Sequence, residues 1–138
     1  MVNEKELRIG NYIQYSKNGS IKYDTVKSIY YDDDLGTYSI ELANRDFNLF
    51  HLTVNGMSPI KITEELLSKC GFSQIYGSDP QEPNAMLLYY NSTGDFTIMS
   101  TENDRNTFHY ETGITVTSVH QLQNLHFSLT GKELDVLL

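Results

Sequence analysis

The alternation of apolar and polar positions divides the chain into two sets of short strands, each followed by a helix. Residues 11–15 and 21–31 read as strands joined at Asn18-Gly19, a residue pair whose tolerance of positive φ suits a two-residue hairpin turn. In the second strand Ile21 and Tyr23 share one phase, Val26 falls in the other and Ile29 returns to the first. The pattern predicts a bulge or bend near residues 25–28. Tyr38, Ile40 and Leu42 then alternate with Thr37, Ser39 and Glu41, and a turn at Asn44-Arg45-Asp46 leads to a fourth strand over residues 47–54. Four short strands with tight connections predict a meander that curls into a small SH3-like barrel.

A short helix follows. Thr63 is its N-cap, Glu64 and Glu65 occupy the first turn where the helix dipole favours anions, and Gly71 ends it. Leu66, Leu67 and Cys70 form its apolar face, with Phe72 closing over the last turn. Residues 73–84 concentrate Gly, Pro and polar side chains without periodicity and read as an internal linker or a long surface loop. Strand patterns resume at 85–90, 96–100, 107–110 and 113–116.

The second helix begins at Ser118, which forms a capping-box pattern with Gln121. Val119, Leu122, Leu125 and Leu129 recur at helical spacing and predict a buried stripe. His120, Gln123, Asn124 and Phe127 gather on a different face, and a merely solvated face would carry Lys and Glu instead. Those four residues are the candidate interface. Thr130 and Glu133 form a second capping box for a last turn, and the apolar end at Leu134, Val136, Leu137 and Leu138 should pack on the body or on another subunit. The predicted fold class is α+β: an N-terminal antiparallel meander, a short helix, a second antiparallel β set and a C-terminal helix. Residues 1–138 form a single domain, with sub-lobes at 1–58 and 59–138.

Charge and candidate chemistry narrow the functional classes. A net charge of −8 with scattered lysines opposes a general grip on a phosphate backbone. A single cysteine and no leading basic-plus-apolar segment suit a reducing, cytoplasmic setting, and no apolar run reaches membrane-spanning length. His120 and His126 are six apart, which splays them around a helix so that they do not form a ligand pair, His51 and His109 lie in strands among aromatic residues, and no metal or cofactor is expected. Cys70 sits at a helix C-terminus, where the dipole disfavours a thiolate. The run Asp32-Asp33-Asp34 lacks the alternating ligands of a calcium loop, and no phosphate-binding glycine loop or nucleophile elbow is present.

Three segments carry a resemblance: ELRIGNYI near the start, PIKITEELLSKCGF in the centre and VHQLQNLHFSLTGKEL at the end. Together they resemble a family of small uncharacterised proteins of gut anaerobes and their phages, whose members open with an ELRIGN-like segment and close with a VHQLQNLYFALTG-like helix. Here His126 and Ser128 stand where that pattern has an aromatic residue and an alanine. The resemblance implies a phage or mobile-element context and no activity, cofactor or site. The expected function is a non-enzymatic protein-interaction module. The alternatives are a nucleic-acid-associated module stacking bases on Tyr12, Tyr23 and Tyr38, or a small-ligand binding protein or cryptic enzyme.

Overall fold

The computed structural model describes residues 2–43, 56–91, 96–111 and 113–138, and the backbone of 51–53. The expected turns at residues 44–46 and 92–95 lie outside them. The chain divides into two compact units: Met1–Ile60 with Val119–Asn124, and Lys61–Ser118 with Leu125–Leu138.

The first unit opens with a single 3-10 turn, Glu4–Glu6, capped by Asn3, whose side chain accepts from the Lys5 N–H at 3.1 Å. Strands β1 (Tyr12–Lys17) and β2 (Ser20–Asp32) form the expected hairpin, with Asn18 at φ 51° and Gly19 at φ 77°. Both turn positions are left-handed, the geometry whose twist matches that of paired strands. β2 continues into β3 (Thr37–Leu42), and their register shifts between Val26 and Ser28. The bulge therefore lies where the phase change of the sequence places it. β4 (His51–Thr53) and the two-residue β5 (Met57–Ser58) complete an antiparallel sheet in the order β4-β3-β2-β1-β5. Among the described residues its two ends are not paired with each other, so the sheet is open. Ile13, Tyr15, Val26, Ile40, Leu42 and Met57 bury its inner face together with Val2 and Leu7.

The second unit contains helix α1 (Glu64–Lys69), whose Thr63 hydroxyl accepts from the Leu66 N–H at 3.1 Å, so the cap forms as expected. Its sheet runs β10-β9-β8-β7-β6, all antiparallel, from β6 (Phe72–Tyr76), β7 (Met86–Asn91), β8 (Thr97–Thr101), β9 (Asp104–Tyr110) and β10 (Ile114–Val116). β6 corrects the linker expected from residue 73. Ser73, Gln74, Ile75 and Tyr76 pair in unbroken register with Tyr90, Tyr89, Leu88 and Leu87. Backbone pairing to an apolar neighbour outweighs the weak strand preference of Ser and Gln. An aromatic cluster fills this core: Phe96 meets Phe72, Tyr110 and His126 edge-on, and Tyr89 meets Phe108 with ring centroids 5.3 Å apart. Edge-on contacts let the positive rim of one ring face the negative face of the next.

Helix α2 (Val119–Thr130) contributes its first half to one unit and its second half to the other. Its N-cap differs from the expected capping box. Ser118 adopts the extended cap backbone but makes no side-chain cap bond, and the Val119 N–H donates to the Ile60 carbonyl at 2.8 Å. A neighbouring carbonyl thus satisfies one of the orphan donors at the helix start. Leu129 departs from the expected stripe and is 42 % exposed, while Val119, Leu122 and Leu125 are buried. Gly131 ends the helix at φ 71°, and no helical turn follows. Thr130 donates to the His126 carbonyl at 2.8 Å and accepts from the Lys132 N–H at 3.1 Å. Leu134 is buried, and Leu137 and Leu138 are exposed.

Candidate functional site

The polar side of α2 was the strongest candidate in the sequence, and in the first unit its residues turn inward. Gln123, 2 % exposed, accepts from the Tyr12 N–H at 2.8 Å and donates to the Gly10 carbonyl at 3.1 Å. Asn124 donates to the Glu6 carbonyl at 2.6 Å while its side-chain oxygen accepts from Asn11 Nδ2 at 2.9 Å and Arg8 Nε at 3.2 Å. Asn11 is itself buried, and its side-chain oxygen accepts from the Arg8 N–H at 2.7 Å. The ELRIGN-like segment and the VHQLQN-like segment, which carry the resemblance, are thus hydrogen-bond partners. Within this stretch the Asn11 N–H bonds to the Arg8 carbonyl and the Gly10 N–H to the Val26 carbonyl, and the amide side chains pair the Glu6 and Gly10 carbonyls and the Tyr12 N–H that these bonds leave over.

His120 is buried beside Glu6, its Nε2 lying 3.4 Å from a carboxylate oxygen that also accepts from Gln121 at 3.2 Å. Burial holds its pKa below the ordinary 6.5, and the Glu6 carboxylate offsets part of that shift. Phe127 follows the same helical spacing and is 40 % exposed. His120, Gln123 and Asn124 are therefore hydrogen-bonded within the chain.

A second polar group forms in the second unit. The Tyr89 hydroxyl donates to Glu64 at 2.6 Å, Arg105 bridges Glu64 at 3.1 Å and Glu102, and the Tyr76 hydroxyl donates to Glu102 at 3.0 Å. Burial, joined by the bond to Glu64, pushes the Tyr89 hydroxyl up to about 12, so it stays a neutral donor. No local pattern signals this group, because its members are far apart in the chain and the Glu102 to Arg105 stretch reads as a polar turn. Of the remaining reactive types, Cys70 is buried and its thiol is raised by burial, with a backbone bond to Leu137 acting against that. His126 Nδ1 lies 2.8 Å from the Lys132 carbonyl. A carbonyl only accepts, so that nitrogen carries the proton.

Among the described residues no three of His, Cys, Asp and Glu are placed to hold a metal ion, and no helix is long and apolar enough to cross a membrane. The chain matches no family model, no curated protein and no solved structure.

Replacing Gln123 by Leu strands the Tyr12 N–H and the Gly10 carbonyl. It should lower stability by about 2–4 kcal/mol in urea unfolding, whereas Phe127→Ala should cost under about 1 kcal/mol. Equal small effects from both would show that the amide bonds contribute nothing. His120 adds a pH dependence: the unfolded chain takes up its proton near 6.5 while the folded chain resists. The contribution is complete above that pH and is lost as pH falls toward the folded value. An NMR titration should place the His120 midpoint below 6.5; a midpoint above it would mean that Glu6 dominates.

Proposed function

We propose that the protein is a non-enzymatic protein-interaction module whose contact surface includes the outer face of β1 and β2. The observation that supports it is a row of exposed apolar and aromatic side chains: Ile21 at 60 %, Tyr23 at 48 % and Tyr30 at 37 % exposure. Registration places them on one face of the sheet. Ile21 lies opposite Ser16 and Tyr23 opposite Gln14, in the phase away from buried Ile13 and Tyr15; beyond the bulge Tyr30 lies opposite Ser39, away from buried Ile40. Lys27 and Glu41, paired at 2.9 Å, lie along β2 between Tyr23 and Tyr30. An aromatic centre with a polar surround is the composition that protein interfaces favour.

Nucleic-acid stacking fits less well. Tyr12 and Tyr23 share the outer phase, but Tyr38 lies in the opposite phase, edge-on to Tyr31 at 5.4 Å, and the chain is strongly acidic. The proposal includes Phe127 as a further contact on α2, an SH3-like curl of the first unit, a cytoplasmic location and the phage or mobile-element context that the resemblance implies.

The test compares wild type with Tyr23→Ser in affinity capture from host and phage-infected lysates, followed by titration of any captured protein. The reading expects a protein whose affinity for Tyr23→Ser drops about tenfold or more while circular dichroism is unchanged. Unaltered affinity, capture of nucleic acid alone, or no enrichment over a charge-matched control would overturn it.

A further inference from the structure

The edge of the second unit's sheet carries an inference independent of the tyrosine row. β6 is the last strand in its order, and four consecutive residues, Ser73, Gln74, Ile75 and Tyr76, are exposed. Sheet edges are commonly protected by lysine, proline or a bulge. β6 has none of these: its register with β7 is unbroken, and no charged residue lies between Lys69 and Asp79.

Which of its backbone groups face outward follows from one bond. The Gly77 N–H donates to the Met86 carbonyl at 2.9 Å, so in this register Ser73 and Ile75 also direct their backbone groups toward β7. Phe72, Gln74 and Tyr76 therefore present theirs to the open side. The stretch Gly71-Phe72-Ser73-Gln74-Ile75-Tyr76-Gly77 is a pseudo-palindrome centred on Gln74. Glycine matches glycine, an aromatic ring matches an aromatic ring, and Gln74 matches itself.

We propose that β6 pairs antiparallel with β6 of a second copy of this chain, about a two-fold axis at Gln74, joining two five-stranded sheets edge to edge. In that register Gln74 faces Gln74 and Phe72 faces Tyr76, and these are the residues whose backbone groups point outward. Each such pair exchanges both its N–H···O bonds, and the two Gln74 side-chain amides can bond to each other across the axis. The exposed Tyr76 of each copy stands across from Phe72 of the other, whose ring stays in its own core against Phe96, so the pairing rests on backbone bonds and on Gln74. Because the segment is uncharged, a chain of net charge −8 can approach itself here without placing like charges in register. The glycines remove side-chain bulk at both ends of the pairing. Gly77 is further required on its own account, since a Cβ there would lie 2.8 Å from Leu88 Cγ. The contact is small compared with obligate interfaces, so the dimer is a weak, concentration-dependent one.

Sedimentation velocity on the full chain from about 10 µM to about 1 mM should show a reversible monomer–dimer equilibrium. Gln74→Pro removes an N–H that faces the open edge, which proline tolerates on an edge strand, and deletes both bonds of the central pair at once. The expected result is dimer affinity weaker by about tenfold or more with an unchanged circular dichroism spectrum. Ile75→Lys, an edge lysine beside the axis, should act likewise and decides the matter where Gln74→Pro fails to fold. A wild type that stays monomeric throughout, or a dimer that persists in a folded variant, would overturn the proposal.

Discussion

Pairing of backbone groups between residues 6 and 12 is the constraint on which the first unit depends. The chain there runs from a 3-10 turn through Gly10, at φ 91°, into β1, and it has neither a helix ladder nor a complete strand partner. Gln123 and Asn124 supply what is missing: an acceptor for Tyr12, a donor for Gly10, a donor for Glu6 and an anchor for the Asn11 side chain. A buried amide group left without such a partner costs far more than the net gain of an average hydrogen bond, so these residue types are needed for the fold itself. The opening segment and the final helix are thus one structural element made from opposite ends of the sequence.

The second unit solves a different problem. Its strands bury a set of aromatic rings, and its polar groups, Glu64, Tyr89, Glu102, Arg105 and Tyr76, compensate one another in place. Tyr89 links the two features, with its ring against Phe108 in the core and its hydroxyl bonded to Glu64 at the start of α1. Arginine suits the surrounding carboxylates because its planar donors reach two acceptors at once.

Local signals were legible in the sequence, and long-range ones were not. Asn18-Gly19 specified the first hairpin because few residue pairs accept two positive φ angles. Thr63 specified α1, and the phase change around Val26 specified the bulge, because each rests on a preference within a few residues. β6 escaped detection because Ser73 and Gln74 resemble loop composition and only β7 makes them a strand. The helix residues His120, Gln123 and Asn124 were recognisable as unusual for a solvated face, but periodicity alone cannot say which surface a face meets. Their partners lie more than 100 residues away in sequence. The Ser118 cap shows the converse case: the local pattern is present, but Ser118 makes no side-chain cap bond and the Gln121 side chain donates to distant Glu6.

The functional picture changes accordingly. Gln123 is unsuited to probing an interface, because its substitution disturbs the fold before any partner is involved; exposed strand side chains such as Tyr23 probe recognition cleanly. The central claim, that the amide side of α2 completes the backbone pairing of the opening segment, is tested most directly by hydrogen exchange at the Tyr12 amide. This N–H has Gln123 Oε1 as its acceptor. The account predicts strong protection in the wild type and a large, local loss of protection in Gln123→Ala while the Ile13 to Tyr15 amides keep theirs. A Tyr12 amide that exchanges at the rate of an exposed group in the wild type, or whose protection survives the substitution, would contradict it.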